Sequence, residues 1–286
     1  MPHRLRASLT RPVIWLFLAL VVALVAFVRG VERRLAFYPL DGEPMTPATL
    51  GAPFEPRTIE TADGERVRLW KFSAAQPRAL VVYFHGNGGN LSLWSDVLVS
   101  LWQRRLDVVA LDYRGYGVST GTPSESGLYA DVDATLRFVH ADARQPGVPL
   151  IYWGRSLGAT MAAYAASRRP PDAVILEAGF PSARAVLESS PVLWLLSWIS
   201  SYRFPTARWM SAVERPVLVI HGNRDGVIPY ALGQRLFEGL RAPKQFVTIE
   251  GGDHNDAAPA DPAIYWTPID DFIAGISSDV ATPPSR

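Results

Sequence analysis

Cysteine is absent from the 286 residues, which excludes disulfides and thiolate metal sites. Lysine is nearly absent, with Lys71 and Lys244 the only two, so the basic charge is almost all arginine. The net charge is +1, and no basic stripe interleaves with aromatics, so nothing points to nucleic acid. There is no His-Glu-x-x-His pattern and no other close His/Asp/Glu spacing that reads as a metal site, so the sequence implies neither a metal nor a cofactor. No glycine-rich segment ends in Gly-Lys-Ser/Thr, so a phosphate-cradling loop is not expected either. Histidine is scarce: His3, His85, His140, His221 and His254 are all there are.

Charge is also missing locally. From Val13 to Val28 the chain reads VIWLFLALVVALVAFV, flanked by Arg4, Arg6 and Arg11 on one side and by Arg29, Arg33 and Arg34 on the other. At ~1.5 Å per residue this run is slightly short for a hydrocarbon core of roughly 30 Å, and snorkelling Arg11 and Arg29 extend it at both ends. The run is long for a cleaved signal peptide, and no small-x-small site follows it, so an uncleaved transmembrane anchor is expected. The arginine counts tie across the run. The free amino group tips the balance toward a short tail inside and a globular part outside the cytoplasm, as for a single-pass protein of a bacterial inner membrane with a periplasmic domain. The divisions follow: a basic tail 1–12, an anchor 13–28, a tether 29–56 lying back on the domain through Phe37 and Tyr38, a domain 57–278 and a flexible tail 279–286.

The domain alternates strand and helix. Two strands flank the turn Ala62-Asp63-Gly64. Six near-continuous apolar runs follow at 79–86, 106–113, 149–154, 172–179, 215–222 and 244–251, as strands covered on both faces read. Helical candidates lie at 91–104, 125–142, 157–168, 230–241 and 262–275. This alternation implies a mostly parallel central sheet with helices on both faces. The segment 181–212 breaks the rhythm and carries Trp194, Leu195, Leu196, Trp198 and Ile199. It is too apolar for a loop facing only water and is read as a small cap.

The run IYWGRSLGAT, 151–160, places Ser156 between Gly154 and Gly158, after a strand and before a helix. That is the pattern of a nucleophile elbow. A serine hydroxyl needs a base within hydrogen-bond reach, an orienting carboxylate and donors for the developing oxyanion. His254, in the glycine-flexed loop EGGDHND, supplies the base; His85 and His221 precede glycines at strand ends, where turn geometry explains them more simply. Asp225 in HGNRDGVIP supplies the acid, with Glu177 as the alternative and Asp253 as a weaker rival. The amides of Leu157 and of Asn87, in FHGNGGN, supply the oxyanion donors. Arg155 adjoins the serine, and its direction stays open between helix, core and substrate.

Taken together, FHGNGGN, LDYRGYGVSTGTPSESGLYAD, GRSLG, VILEAGF and PVLVIHGNRDGVIP resemble the α/β-hydrolase superfamily, and more narrowly its Bem46-like branch of membrane-anchored serine hydrolases. The resemblance covers about Phe37 to Ile273. It implies the α/β-hydrolase fold, with Ser156 as nucleophile, Asp225 as acid, His254 as base and an oxyanion amide at Asn87, and a turn-forming role for Asp112, Arg114 and Gly117. The expected activity is cleavage of carboxylic esters or thioesters through an acyl-enzyme, on small-molecule, lipid or acylated substrates with apolar acyl groups. A peptidase or amidase of the same fold and a non-catalytic tethered binding module are the alternatives. The sequence assigns no oligomeric state.

Overall fold

The computed structural model describes residues 6–255 and 261–281. His3 and the ends of both tails, 1–5 and 282–286, lie outside the described residues.

The apolar run forms one helix, α1 (Arg6–Ala36), longer at both ends than the run itself. Within it Pro12–Arg34 is long and apolar enough to cross a bilayer. Helical geometry thus continues through the first eight residues assigned to the tether, because nothing between Arg29 and Ala36 stops it: no glycine or proline follows Gly30 in that stretch. The two-residue strand β1 (Tyr38–Pro39) comes next. Phe37 is buried as expected, whereas the Tyr38 side chain is exposed and only its backbone joins the domain.

Among the described residues, nine more strands and seven further α-helices follow. β2 (Glu55–Glu60) and β3 (Arg66–Phe72) form the predicted hairpin, then come β4 (Ala79–Phe84), the short β5 (Gly88–Gly89), α2 (Ser95–Gln103) and β6 (Leu106–Asp112). α3 (Glu125–Phe138) begins at Ser124, whose hydroxyl caps it by accepting from the Gly127 amide, and it closes in a π-helical turn at Val139–Ala143. β7 (Leu150–Arg155), α4 (Leu157–Arg168) and β8 (Ala173–Glu177) lead into the cap, built from α5 (Ala183–Ser189), a 3-10 helix (Trp194–Trp198) and α6 (Thr206–Met210). β9 (Val217–Gly222), α7 (Tyr230–Glu238), β10 (Lys244–Ile249) and α8 (Pro262–Ala281) complete the chain. α8 runs past its predicted end at 275 and takes in the first residues of the expected flexible tail.

Eight strands form one sheet in the order β10-β9-β8-β7-β4-β6-β3-β2, parallel from β10 to β6 and antiparallel at β3 and β2. The expected α/β-hydrolase fold is borne out. Successive residues of a strand face opposite sides, and the core divides accordingly. Leu80, Val82 and Phe84 of β4 join the cluster under α3, α4 and α7, while Val81 and Tyr83 join the one under α2 and α8. Each such fully buried side chain contributes about 1.5–3 kcal/mol. The β2 edge instead carries Glu55, Pro56, Arg57 and Glu60, mostly exposed, which discourages pairing with another chain.

Chain order reverses at β4: β6 lies on one side and β7 on the other, and α2 and α4 leave toward opposite faces. A crevice at the carboxyl ends of the strands is the consequence, and in open α/β sheets it is where ligands bind. β4 and β7 pair with Phe84 opposite Gly154, so Asn87 and Ser156 leave neighbouring strands side by side.

The approach of these strands and α4 leaves no room for side chains at two glycines. A Cβ on Gly154 would lie 1.9 Å from the Gly158 carbonyl oxygen, and one on Gly158 would lie 1.9 Å from that of Phe84. Gly158→Ala is therefore expected to destabilise the protein by about 3 kcal/mol through overpacking against backbone. The thermal unfolding midpoint in detergent, read by circular dichroism, checks this; an unchanged midpoint would contradict the packing described.

Candidate active site

Ser156 joins β7 to α4 with no intervening loop. Its backbone takes φ 55° and ψ −117°, a region that costs a non-glycine residue about 1–3 kcal/mol. The surroundings over-determine it: the Ser156 amide donates to the Glu177 carbonyl at 2.8 Å, and its carbonyl accepts from Ala159 at 3.0 Å. The hydroxyl is thereby carried to the mouth of the crevice, with the first amides of α4 beside it. Those amides lack intrahelical acceptors, and the helix dipole adds partial positive charge there.

His254 lies in the loop after β10. Its Nε2 is 3.1 Å from Ser156 Oγ, and its Nδ1 is 2.7 Å from Asp225 Oδ2. The carboxylate can only accept at Nδ1, which leaves Nε2 free to take a proton from the serine. Asp225 lies in the loop after β9, its side chain buried. Its Oδ1 accepts from the amides of Val227 and Ile228 at 2.9 and 2.7 Å. Burial alone would raise its pKa. Hydrogen bonds from His221, His254 and the Ile228 amide outweigh that, and hold the carboxyl well below the usual carboxylate range. Asp225 therefore remains charged through the acidity at which ordinary carboxyls protonate. The loops bearing acid and base touch: Arg224 N–H donates to the Gly252 carbonyl at 3.0 Å, and a Cβ on Gly222 would lie 2.3 Å from that same oxygen.

Three further residues belong to this frame. His221 is not a turn residue only: its Nε2 lies 3.3 Å from Asp225 Oδ2 and 3.0 Å from the Ile228 carbonyl, beneath the acid. Asp253 does not face the His254 ring; its Oδ1 accepts from the His254 and Gly226 amides at 2.6 and 3.1 Å, stitching the two loops together. Arg155 is buried among the supports of the site. It donates to the His254 carbonyl at 2.5 Å, faces Glu177 at 3.5 Å, and lies over the Trp94 ring at 5.5 Å. Glu177, the alternative acid, is thus occupied by Arg155, the Tyr265 hydroxyl at 3.1 Å and the Trp153 indole at 3.4 Å.

The loop after β4 is held peptide by peptide. His85 Nδ1 sits 2.6 Å from the Gly86 carbonyl oxygen, so that nitrogen carries the proton. In a trans peptide the carbonyl and the following N–H point oppositely. Tying the Gly86 carbonyl to the buried histidine therefore turns the Asn87 N–H away from it. The Tyr116 hydroxyl fixes the next unit, reaching both the Asn87 carbonyl and its Oδ1 at 3.0 Å. The DYRGYG segment is the support below. Asp112 accepts from the Leu91 amide at 2.8 Å, and Arg114 pairs with Asp131 and Asp63.

The end of α1 reaches this loop as well. Asn87 Nδ2 donates to the Ala36 carbonyl at 2.7 Å. Phe37 packs edge-on against Tyr202 and Phe204 of the cap, with ring centres 5.4 and 6.5 Å apart. Thr206 of the cap meets Thr160 of α4 at 2.8 Å. The end of α1, the cap and the crevice form one contact network.

Fold and crevice define an α/β hydrolase. The sequence profile of the serine aminopeptidase family, S33, matches residues 75–213. Alpha/beta hydrolase domain-containing protein 17B of Xenopus tropicalis is 32% identical over 200 residues, covering 68% of this chain and 67% of its own. An uncharacterized membrane protein of Saccharomyces cerevisiae is 30% identical over 236 residues, covering 80% and 82%. Among solved structures, the esterase Pf2001 of Pyrococcus furiosus superposes with a TM-score of 0.67 at 16% identity, covering 84% of this chain and 98% of its own, which speaks for the fold. The chain belongs to the α/β-hydrolase superfamily.

Asp225→Asn would keep the shape of the acid but present Nδ2 donors to His254, disfavouring the tautomer the serine needs. It is expected to lower kcat on an aryl ester by roughly 10⁴-fold, with the fold unchanged by circular dichroism; retained turnover would exclude Asp225 as the orienting acid.

Proposed function

We propose that the protein is a membrane-anchored serine hydrolase that cleaves carboxylic esters or thioesters of apolar acyl groups. The observation that carries the reading is the hydrogen-bonded chain Ser156–His254–Asp225, at 3.1 and 2.7 Å, on a strained strand-to-helix turn. In this reading Ser156 Oγ attacks the acyl carbonyl carbon while His254 Nε2 takes its proton. The amides of Leu157 and Asn87 receive the oxyanion. The bond to the alcohol or thiol then breaks, and the proton held on His254 passes to the leaving group. Water, deprotonated by the same nitrogen, attacks the acyl-serine and releases the acid.

The family profile's description makes a peptidase the second reading. A free substrate amine would need a carboxylate to seat it, and the cap segment 181–212 carries only Glu188, which is paired with Arg184 at 2.6 Å. The apolar cap and the N-terminal helix instead favour apolar acyl groups. The likeness to a yeast protein described as a membrane protein adds weight to retention of α1 as an anchor. We place the domain on the periplasmic side of a bacterial inner membrane, from the charge at the ends of the apolar run.

A membrane-impermeant fluorophosphonate probe tests mechanism and side together. Labelling is expected on intact spheroplasts and is expected to disappear in Ser156→Ala while persisting in Glu177→Gln. Equal labelling of Ser156→Ala would overturn the mechanism, and labelling only after lysis would overturn the orientation. In a chain-length series of aryl esters, fastest turnover on acetate with steep loss at longer chains would contradict the apolar acyl preference.

A further inference from the structure

The cap carries an exposed apolar surface that the chemistry at Ser156 does not require. Val192, Leu193, Trp194, Leu195 and Trp198 all project into solvent, with Val192 83%, Leu195 65% and Trp198 68% exposed. Scattered exposed hydrophobes need no explanation, but five within seven positions make a ridge of the kind that marks an interaction surface. One 3-10 turn, Trp194–Trp198, presents most of it, with the Ser197 side opposite and buried.

What lies beside the ridge identifies what covers it. Immediately after it, the Ser200 and Ser201 hydroxyls and the Ser201 amide donate to the carboxylate of Glu32, the amide at 3.0 Å and the Ser201 hydroxyl at 2.6 Å from Oε2. Glu32 belongs to α1, four residues past Val28, the last residue of the apolar run. Four residues of helix rise about 6 Å. The clasp therefore holds the base of the ridge about one helical turn from where the anchor leaves the hydrocarbon. Phe37, against Tyr202 and Phe204, makes a second tie on the same side. The composition suits that depth. Tryptophan favours the membrane–water interface, and Trp194 and Trp198 are both in the ridge. Arg184 lies with its guanidinium over Trp198 at 4.9 Å, Arg33 reaches Tyr202 just past the ridge, and Arg29 and Arg34 belong to the same helix end as Glu32. Arginines at headgroup level attract anionic lipid.

We propose that the ridge 192–198 is a second membrane contact, lying in the headgroup–acyl boundary of the bilayer that α1 crosses and favouring anionic phospholipid. A single helix leaves a domain free to tilt about its exit point; this second contact fixes the tilt. The cap, and with it the site end of the sheet, then faces the lipid, so that an acyl chain can pass from the leaflet without crossing bulk water. The inference rests on reading α1 as a retained anchor and is independent of the chemistry at Ser156.

Because the chain lacks cysteine, single-cysteine variants of the full protein can be labelled cleanly. Leu195→Cys, Leu20→Cys in the anchor and Gln245→Cys on the exposed edge strand β10 would each carry an environment-sensitive nitrobenzoxadiazole dye, in vesicles of phosphatidylcholine with phosphatidylglycerol. The expected result is blue-shifted emission, quenched by acyl-chain spin-labelled lipid, at positions 20 and 195 but not at 245. The quenching at 195 should weaken when phosphatidylglycerol is omitted. Quenching at 20 with a water-like spectrum at 195 would overturn the proposal and leave the anchor standing; water-like spectra at both would overturn the two together. The readout needs no turnover, so failure of the hydrolase reading would not disturb it. Trp198→Asp, labelled at 195, should reduce the blue shift, and an unchanged spectrum would show that the ridge is not what enters the lipid.

Discussion

The contact that the arrangement depends on is the close passage of α4 beneath the end of β4, possible only because Gly154 and Gly158 lack side chains. A strand that turned into its helix through a longer loop would relieve Ser156 of its positive φ, but it would also carry the hydroxyl away from the first amides of α4. Here the strain is local and the compensation distributed: the Ser156 amide is tied to β8, and the helix it starts is buried along most of its length. The remaining parts of the site come from neighbouring strands of a sheet whose spacing this contact helps to hold. The same device recurs where the loops after β9 and β10 meet at Gly222 and Gly252. Both places where backbones must nearly touch to assemble the crevice are glycine against backbone.

How much of this was legible in the sequence follows from what each residue type signals alone. Strands covered on both faces announce themselves as apolar runs, and the order Ser156, Asp225, His254 along the chain was readable from glycine-flanked positions at strand ends. The supporting residues were not readable, because their roles lie in tertiary contacts. Arg155 follows an apolar strand and precedes the candidate nucleophile, which gives no direction. It turns inward because Glu177, one strand over and directly opposite in register, offers it a charge and the His254 loop offers it a carbonyl. His221 reads as a strand-end histidine before glycine, and only the return of the chain at Ile228 brings Asp225 over it. A signal was present: a histidine four residues before the candidate acid, at a strand end, can reach the acid's loop. The helical continuation of α1 to Ala36 was likewise legible from the lack of a breaker, but an arginine-rich segment after an apolar run reads first as a tether.

Electrostatically the carboxylates around the crevice are each committed to partners. Asp225 is held ionised by donors on several sides, Glu177 is neutralised by Arg155, and Asp253 is spent on two backbone amides. The His254 imidazole, between Ser156 and Asp225, is the group proposed to carry the proton. The Asn87 loop is similarly committed on its inner side to His85, Tyr116 and Ala36, which leaves its amide as the outward feature. The last of these ties, to the end of α1, joins the loop proposed to receive the oxyanion to the helix proposed to cross the membrane.

In the proposed mechanism an acyl group is transferred to Ser156 before water receives it. Rapid mixing with an aryl ester of a medium-length acid, followed in time for phenolate release and quenched in acid for peptide mass spectrometry, tests this directly. A stoichiometric burst of phenolate ahead of steady turnover is expected, with the acyl mass on the peptide containing Ser156. Steady turnover with no acyl adduct on that peptide, or with an adduct on another residue, would contradict it.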